Sequence, residues 1–289
     1  MKIRPAVIEF LHELPSRRKT TEFPTGLTNF DNDIWFLKKN LNIIAGRPSN
    51  NKSSFILNCL AVPTSESGKN VIIYSLEDTK ERYVVRYLAN KTSINNRNIQ
   101  NNNLTTDEIK ELHEHRNTMD DLPLTIQEEV GYSILEIEKH LKTLKDKPDM
   151  VIIDYLNKIK TQNNNRLESI NDYLREFSNL SKKMDFCAVV CCQVNREAMV
   201  KDGDTVLHPM MHHIKESGDI EQIADVVLLI HWEYKYSGKN ENDIRLIVAK
   251  NKDGETNVYN YKIEAKYNRI TNFINLAGKP MEDAFQGMI

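Results

Sequence analysis

No surplus of either charge marks this chain: 39 lysines and arginines stand against 41 aspartates and glutamates, a formal net charge of −2. A global electrostatic pull toward nucleic acid is thereby excluded, and any contact with a polyanion must be local. The four cysteines, Cys59, Cys187, Cys191 and Cys192, contain no C-x-x-C pair. Three of them share one apolar segment, where buried thiols are expected, and this usage fits a reducing cytoplasm. No segment approaches the length of a membrane span, and no internal repeat is present. Residues 6–14 are amphipathic rather than a continuous apolar secretory core. His212-His213 lacks a third ligand at useful spacing, so a metal centre is not expected there. What is present is ordinary for a globular protein: 289 residues, 28% charged and 40% hydrophobic, enough for one large domain with or without an appendage.

Strand-like apolar runs alternate with helix-like amphipathic ones. Leu41 to Ala45, Val71 to Ser75, Met150 to Asp154 and Cys187 to Gln193 read as buried strands. Helices are expected over 79–89, 106–115 (capped by Thr106), 134–144 and 167–184. The Asn-rich stretch 94–104 reads as irregular surface, and 196–215 as a mobile loop. Trp232, Tyr234 and Tyr236 alternate as one face of a strand would. Strands at 226–230, 244–249, 258–263 and 270–273, the last ones joined by hairpin signals, close the chain. The pattern predicts an α/β fold with a mostly parallel central sheet, flanking helices and an antiparallel C-terminal edge.

The densest chemistry lies in Gly46-Arg47-Pro48-Ser49-Asn50-Asn51-Lys52-Ser53-Ser54. It follows one expected strand and precedes a helix, the setting of a phosphate-binding loop. Loop N–H groups and the helix dipole face phosphates, Lys52 reaches the outer oxygens, and the Ser53 hydroxyl completes a Mg²⁺ shell. The usual G-x-x-x-x-G-K-[S/T] pattern lacks its second glycine, which here is Asn51. That position favours positive φ, and asparagine is among the non-glycine residues that tolerate it best.

Three further polar residues end expected strands, where ligands bind in parallel α/β sheets. Asp154 suits a water-mediated Mg²⁺ contact opposite Ser53, or a simple turn aspartate. Glu77 suits activation of an attacking water, or a helix N-terminal glutamate complementing the dipole. Gln193 suits a γ-phosphate sensor, or a polar strand end.

The order GRPSNNKSS, YSLED, VIIDYL, CCQVNREA, IKESGDIEQIADVVLLI and AKNKDGE resembles the ATPase domain of DnaB-type hexameric replicative helicases, over roughly residues 24–273. The resemblance implies a RecA-like P-loop core, ATP and Mg²⁺ as cofactors, and a ring of identical subunits on single-stranded DNA, with a helicase loader or primase as further partners. It implies Lys52 and Ser53 for phosphate and metal, Asp154 for metal, Glu77 as catalytic carboxylate and Gln193 as sensor, with Arg86 near the nucleotide. It also implies DNA contacts from Lys215, Glu216 and Gly218, to which Arg196 is added from the Gln193-Val194-Asn195-Arg196 block. Where the family reads Lys-x-Arg-x-Gly, this chain has Lys250-Asn251-Lys252-Asp253-Gly254. Lys252 keeps the charge of an arginine finger without its two-pronged donor, so reduced turnover is expected; alternatively both lysines are solvated hairpin residues.

The expected organisation is an N-terminal helix and linker over 1–23, the ATPase domain over 24–275 and a tail over 276–289. The family's usual N-terminal collar domain is missing from this stretch, and a phage or mobile-element source would suit the composition. The expected function is an ATP-driven DNA helicase of the replicative type. The alternatives are a weakly hydrolysing regulatory relative, motivated by Asn51 and Lys252, and a RecA-like recombination mediator.

Overall fold

The computed structural model describes residues 21–118, 121–128, 133–156, 166–195, 201–202, 205–206, 208–214 and 220–272, with two helical positions, Ile3 and Val7. Nine strands build one sheet: β1 (Leu41–Gly46), β2 (Val71–Ser75), β3 (Leu124–Glu128), β4 (Met150–Asp154), β5 (Cys187–Gln193), β8 (Val226–His231), β9 (Asp243–Asn251), β10 (Val258–Glu264) and β11 (Arg269–Thr271). β6 (Lys201–Asp202) and β7 (Thr205–Val206) pair separately as a small antiparallel ladder. The sheet order is β11-β10-β9-β8-β1-β5-β4-β2-β3. β8, β1, β5, β4, β2 and β3 run parallel, while β9, β10 and β11 add antiparallel at one side.

Burial explains why these segments became these strands. β1, β2, β4 and β8 are buried at every residue, because helices cover both faces and a two-faced strand must be apolar throughout. β9 and β10 alternate between buried and accessible positions, as strands with one wet face do. One face carries Ile44, Ile73, Ile152, Val189 and Leu228 against Phe30, Phe55 and Leu57. The other carries Ile43, Tyr74, Ile153, Val190 and Leu229 against Ile137, Leu141, Leu174 and Phe177. Truncating one such residue, as in Ile152→Ala, costs about 2–5 kcal/mol.

The helices are α1 (Thr28–Asp33), α2 (52–66), α3 (Lys80–Thr92), α4 (Asn96–Gln100), α5 (Thr106–Thr118), α6 (Ile134–Thr143), α7 (Arg166–Met184), α8 (Ile220–Ile223) and α9 (Tyr234–Ser237). α2 follows the phosphate-loop motif and is continuous through Lys52–Phe55, a π-wound stretch Ile56–Ala61, and Val62–Glu66. Pro63 gives the reason for the wide winding: it has no N–H for the Cys59 carbonyl, and its ring crowds that carbonyl.

Four local expectations are corrected. The stretch 94–104 is not wholly irregular: Asn95 caps α4 by accepting from the Arg97 N–H at 3.0 Å. The asparagine side chain that competes with helix interiors is the one that starts them. The cap of α5 is Thr105 rather than Thr106, with Thr105 and Glu108 exchanging hydrogen bonds. Tyr234 and Tyr236 lie in the helical turn α9, not on a strand. The packed body reaches back at least to Thr21, since Phe23 is wholly buried in the core. All four cysteines are buried free thiols. Among the described residues no helix is long and apolar enough to cross a membrane.

Candidate active site

The C-terminal tips of the parallel strands meet at one side of the sheet, and the phosphate-loop motif sits there. Gly46 ends β1 between Gln193 of β5 and Ile230 of β8. A Cβ at Gly46 would lie 3.0 Å from the Ile230 carbonyl oxygen and 3.3 Å from Lys52 Cγ, so only glycine lets the chain turn up under the lysine. Asn51 has φ 60° and ψ 26°, and Ser49 has φ 64°. The left-handed conformation expected at Asn51 is therefore the one adopted, without the usual glycine.

Within the loop, Lys52 Nζ donates to the carbonyls of Gly46 (3.0 Å) and Arg47 (3.1 Å). Burial pulls its ammonium below the ordinary lysine range, partly offset by the Asp154 and Glu77 carboxylates. The loop is also braced from outside. The Asn50 side chain donates to the Ile230 carbonyl (3.2 Å) and accepts from the Tyr236 hydroxyl (2.8 Å). The Arg47 guanidinium lies over the Tyr236 ring, 4.9 Å from its centroid.

A cavity of about 520 Å³ opens above this loop. Its walls bring together Pro48, Ser49, Asn51, Lys52, Ser53 and Ser54 of the loop, Glu77 after β2, Asp154 at the tip of β4, Gln193 at the tip of β5, and Arg86 on α3. Glu77 is exposed on the bend between β2 and α3. Asp154 is buried, and its Oδ2 accepts the Tyr83 hydroxyl at 2.5 Å. Burial and that carboxylate together push the Tyr83 hydroxyl well above its usual range, so it stays a donor.

Gly46, Arg47 and Asn50, expected to touch the ligand, are not among the residues that line the cavity; they brace the loop that does. Lys250 and Lys252 do not line this cavity. Lys250 Nζ donates to the carbonyls of Glu221 (2.7 Å) and Ala224 (2.5 Å), and Lys252 pairs with Asp225 at 2.9 Å. Asp225 precedes β8, at the opposite edge of the sheet, roughly five residues or about 17 Å of strand away from the loop. Neither lysine therefore serves this chain's own cavity. Lys215, Glu216, Gly218 and Arg196 lie outside the described residues. The base of their loop is closed by the Val194–Ile214 bridge and by the Asn195 N–H donating to the His213 carbonyl at 2.6 Å.

Sequence reading missed part of the wall. Asp78, Arg82, Val85, Asn96, Gln100, Tyr155 and Asn268 also line the cavity. Asp78 holds Arg82 (2.8 Å) and Arg86 in a two-armed clasp. Burial alone would raise the Asp78 carboxyl, but the two arginines outweigh it and hold it below the ordinary range. Asp78 sits on the bend before α3 and Arg82 and Arg86 one turn apart on it, and that four-residue spacing was available in the sequence. Asn268 arrives from the turn before β11, some 214 residues after its partner Ser54, and no local pattern announces it.

Comparison with known proteins gives a consistent answer. The family described as DnaB-like helicase C terminal domain matches residues 22–272. The replicative DNA helicase DnaC of Bacillus subtilis is 29% identical over 273 residues, covering 92% of this chain and 59% of that protein. The replicative DNA helicase DnaB of Geobacillus stearothermophilus is 28% identical over the same length and coverage. The chain thus spans about three-fifths of these relatives. Among solved structures, an ATPase domain superposes with a TM-score of 0.84 at 23% identity, covering 94% of this chain and 99% of that one. The structure of a DnaB-like replicative helicase and its interactions with primase superposes at 0.85 and 23% identity, covering 94% of this chain and 68% of that one. The fold is that of RecA-like helicase ATPase domains, and the chain belongs to the DnaB-like helicase C-terminal domain family.

Proposed function

We propose that this chain is the motor portion of a replicative DNA helicase, hydrolysing ATP to move along single-stranded DNA as a ring of identical subunits, a hexamer by resemblance. One observation carries the reading: Lys52, Ser53, Glu77, Asp154 and Gln193, distant in sequence, line one cavity at the strand tips.

The donor set suits Mg²⁺, since the Ser53 hydroxyl and the Asp154 carboxylate offer the hard oxygen ligands it takes. Ser53 would hold the ion directly and Asp154 through water; when bound, the ion neutralises charge on the outer phosphates. Lys52 exchanges its two loop carbonyls for phosphate oxygens. Glu77 takes the proton from a water attacking the γ-phosphorus, and the bond to the β-phosphate oxygen breaks. Gln193 donates to the γ-phosphate, and it stands one residue from the Val194–Ile214 bridge. Loss of that phosphate is thereby passed to the loop carrying Arg196, Lys215, Glu216 and Gly218, which grips the DNA backbone. Lys250 and Lys252, directed away from their own cavity, exchange their in-chain partners for the neighbouring subunit's nucleotide. The protein works in the cytoplasm, with a loader or primase as partner.

The experiment is ATP hydrolysis with and without single-stranded DNA at stated salt, for the chain and for Lys52→Ala and Glu77→Gln. Hydrolysis should rise with DNA and collapse in both variants; turnover indifferent to both would sink the assignment. A second reading, a weakly hydrolysing regulatory relative, is favoured by the in-chain pairing of Lys252 with Asp225. Robust DNA-dependent turnover would remove it. Family membership argues against a recombination mediator.

A further inference from the structure

Behind the cavity, and not on its wall, stands Tyr83. It belongs to the buried face of α3 and has no exposed surface. Its hydroxyl reaches across the sheet to Asp154 Oδ2, 71 residues away in sequence, at 2.5 Å. Most side-chain hydrogen bonds in proteins go to backbone or water. This one goes to the carboxylate that the nucleotide reading gives to Mg²⁺.

An aspartate carboxylate turns easily about its terminal bond, which has a broad torsional well, so by itself it is a loosely aimed ligand. The backbone of Asp154 is already fixed by the sheet: its Cα pairs with Ser75, and its carbonyl accepts from the Leu76 N–H at 2.7 Å. Tyr83 fixes what the sheet cannot. A hydroxyl donating to an ionised carboxylate makes a short, strong bond, about 2.5–2.7 Å long, and with Oδ2 held the plane of the carboxylate is set. The tyrosine ring has a separate contact, with the Arg86 guanidinium 5.4 Å from its centroid. Hydroxyl and ring can therefore be tested apart.

We propose that Tyr83 is a positioning residue for the metal: by holding Oδ2 it aims Asp154 and sets how tightly the ion joins the bound nucleotide. The proposal rests on the nucleotide reading, so its test separates the two. The probe is Mn²⁺, which takes the same oxygen ligands as Mg²⁺ and whose free form is counted by electron paramagnetic resonance. It would be titrated onto the full chain with ADP, and ADP affinity would be measured by calorimetry in EDTA. The variants are Tyr83→Phe, which keeps the ring against Arg86, Asp154→Ala, and the two together. Tyr83→Leu, which is shorter and leaves room for a water beside Oδ2, serves if phenylalanine does not fold.

Removing the partner of a metal-binding group costs about 10–100-fold in metal affinity. Asp154 reaches the ion through water, so Tyr83→Phe should weaken Mn²⁺ binding to the ADP complex by about tenfold, the low end of that range. Metal-free ADP affinity should stay within about twofold of the parent. Added to Asp154→Ala, the same substitution should cost no further Mn²⁺ affinity, because no carboxylate is left to aim. A tyrosine that only fills the core would lower the melting temperature and leave Mn²⁺ binding unmoved. That result, an equal loss of ADP affinity in EDTA, or a further Mn²⁺ loss on Asp154→Ala would overturn the proposal. Mn²⁺ held by the parent chain with ADP no better than by ADP alone would instead bring down the nucleotide reading beneath it.

Discussion

The two edges of the central sheet treat their polar groups in opposite ways. At the edge where the parallel strands begin, polar groups close on one another within the chain. Asp225 accepts from the Leu41 N–H and from Lys252, both at 2.9 Å, and Lys250 is spent on two carbonyls. Asp149 likewise accepts from Lys38 at 2.8 Å and from the Asn70 N–H at 3.0 Å. At the edge where the strands end, buried groups on the cavity wall are left open: Asn51 Nδ2, Arg86 Nη1 and Asn268 Nδ2 have no partner. A buried donor without an acceptor costs about 1–3 kcal/mol, so a fold that keeps several on one cavity is storing capacity for a ligand. One edge is built for cohesion and the other for binding.

The strongest way to break this contrast is at Lys52 and Glu77. Lys52→Ala should lower ATP hydrolysis by at least about 10²–10³-fold by removing a preorganised cation from the phosphates. Glu77→Gln should lose about 10²–10⁴-fold in rate while still binding nucleotide, because only proton transfer is removed. Both variants should melt near the parent temperature. A Glu77→Gln protein that fails to bind nucleotide would contradict the division of labour.

Next in size is a pH effect on the binding edge. His231 is buried, stacked on Tyr236 (6.0 Å, 13° between planes) and near His208 and Arg245. Burial first, then those two neighbours, pull its imidazole down to about 4 from the usual 6.5. The folded protein thus keeps His231 neutral where the unfolded chain takes up a proton. Stability from this group is complete above about pH 6.5 and is lost as pH falls toward 4, about 3 kcal/mol in all. Denaturant melts from pH 7.5 to 4.5 would show it, and His231→Gln should flatten the slope in that window. An unchanged slope would place the loss on other groups.

Smaller again is the cohesive edge. Asp225→Ala frees the Leu41 N–H and Lys252 together and should cost about 2 kcal/mol of folding stability. Lys252→Ala leaves Asp225 its backbone donor, and the Lys252 end of the pair is largely solvated, so its cost should stay under about 1 kcal/mol. Equal losses in the two variants would mean that the ion pair, rather than the backbone contact, is what holds the strand starts together.

The same contrast explains what the sequence made readable. β1, β4, β5 and β8 were readable because two covered faces demand unbroken apolar runs, and the strand-end polar residues Asp154 and Gln193 stood out against them. The loop was readable despite Asn51 because lysine and serine followed at fixed spacing, and the structure gives Asn51 the left-handed conformation that glycine usually supplies. The carboxamide wall was not. Asn96 and Gln100 sit in a polar stretch whose helix is started by a side-chain cap rather than by apolar periodicity. Asn268 reaches Ser54 only after the whole sheet is assembled. Asp225 lies in the IKESGDIEQIADVVLLI segment that carries the family resemblance, but its bonds to Leu41 and Lys252 show a structural duty that spacing alone could not separate from chemistry.

The smallest expected effect bears on how the binding edge keeps its shape while its donors wait. Tyr236 touches no wall of the cavity, yet its hydroxyl donates to Asn50 and its ring lies under Arg47. Tyr236→Phe removes the hydroxyl alone, keeping the ring, the Arg47 contact and the stack on His231. Asn50 would retain its bond to the Ile230 carbonyl, so stability should fall by only about 1 kcal/mol. If the hydroxyl positions the loop, nucleotide affinity should drop about three- to fivefold with the hydrolysis rate at saturation unchanged, since the chemical groups are untouched. Tyr236→Leu, which also removes the ring beneath Arg47, should lose more affinity than Tyr236→Phe at similar saturated rate. A saturated rate that falls while affinity holds would show that Tyr236 acts on the reacting groups rather than on the loop that carries them.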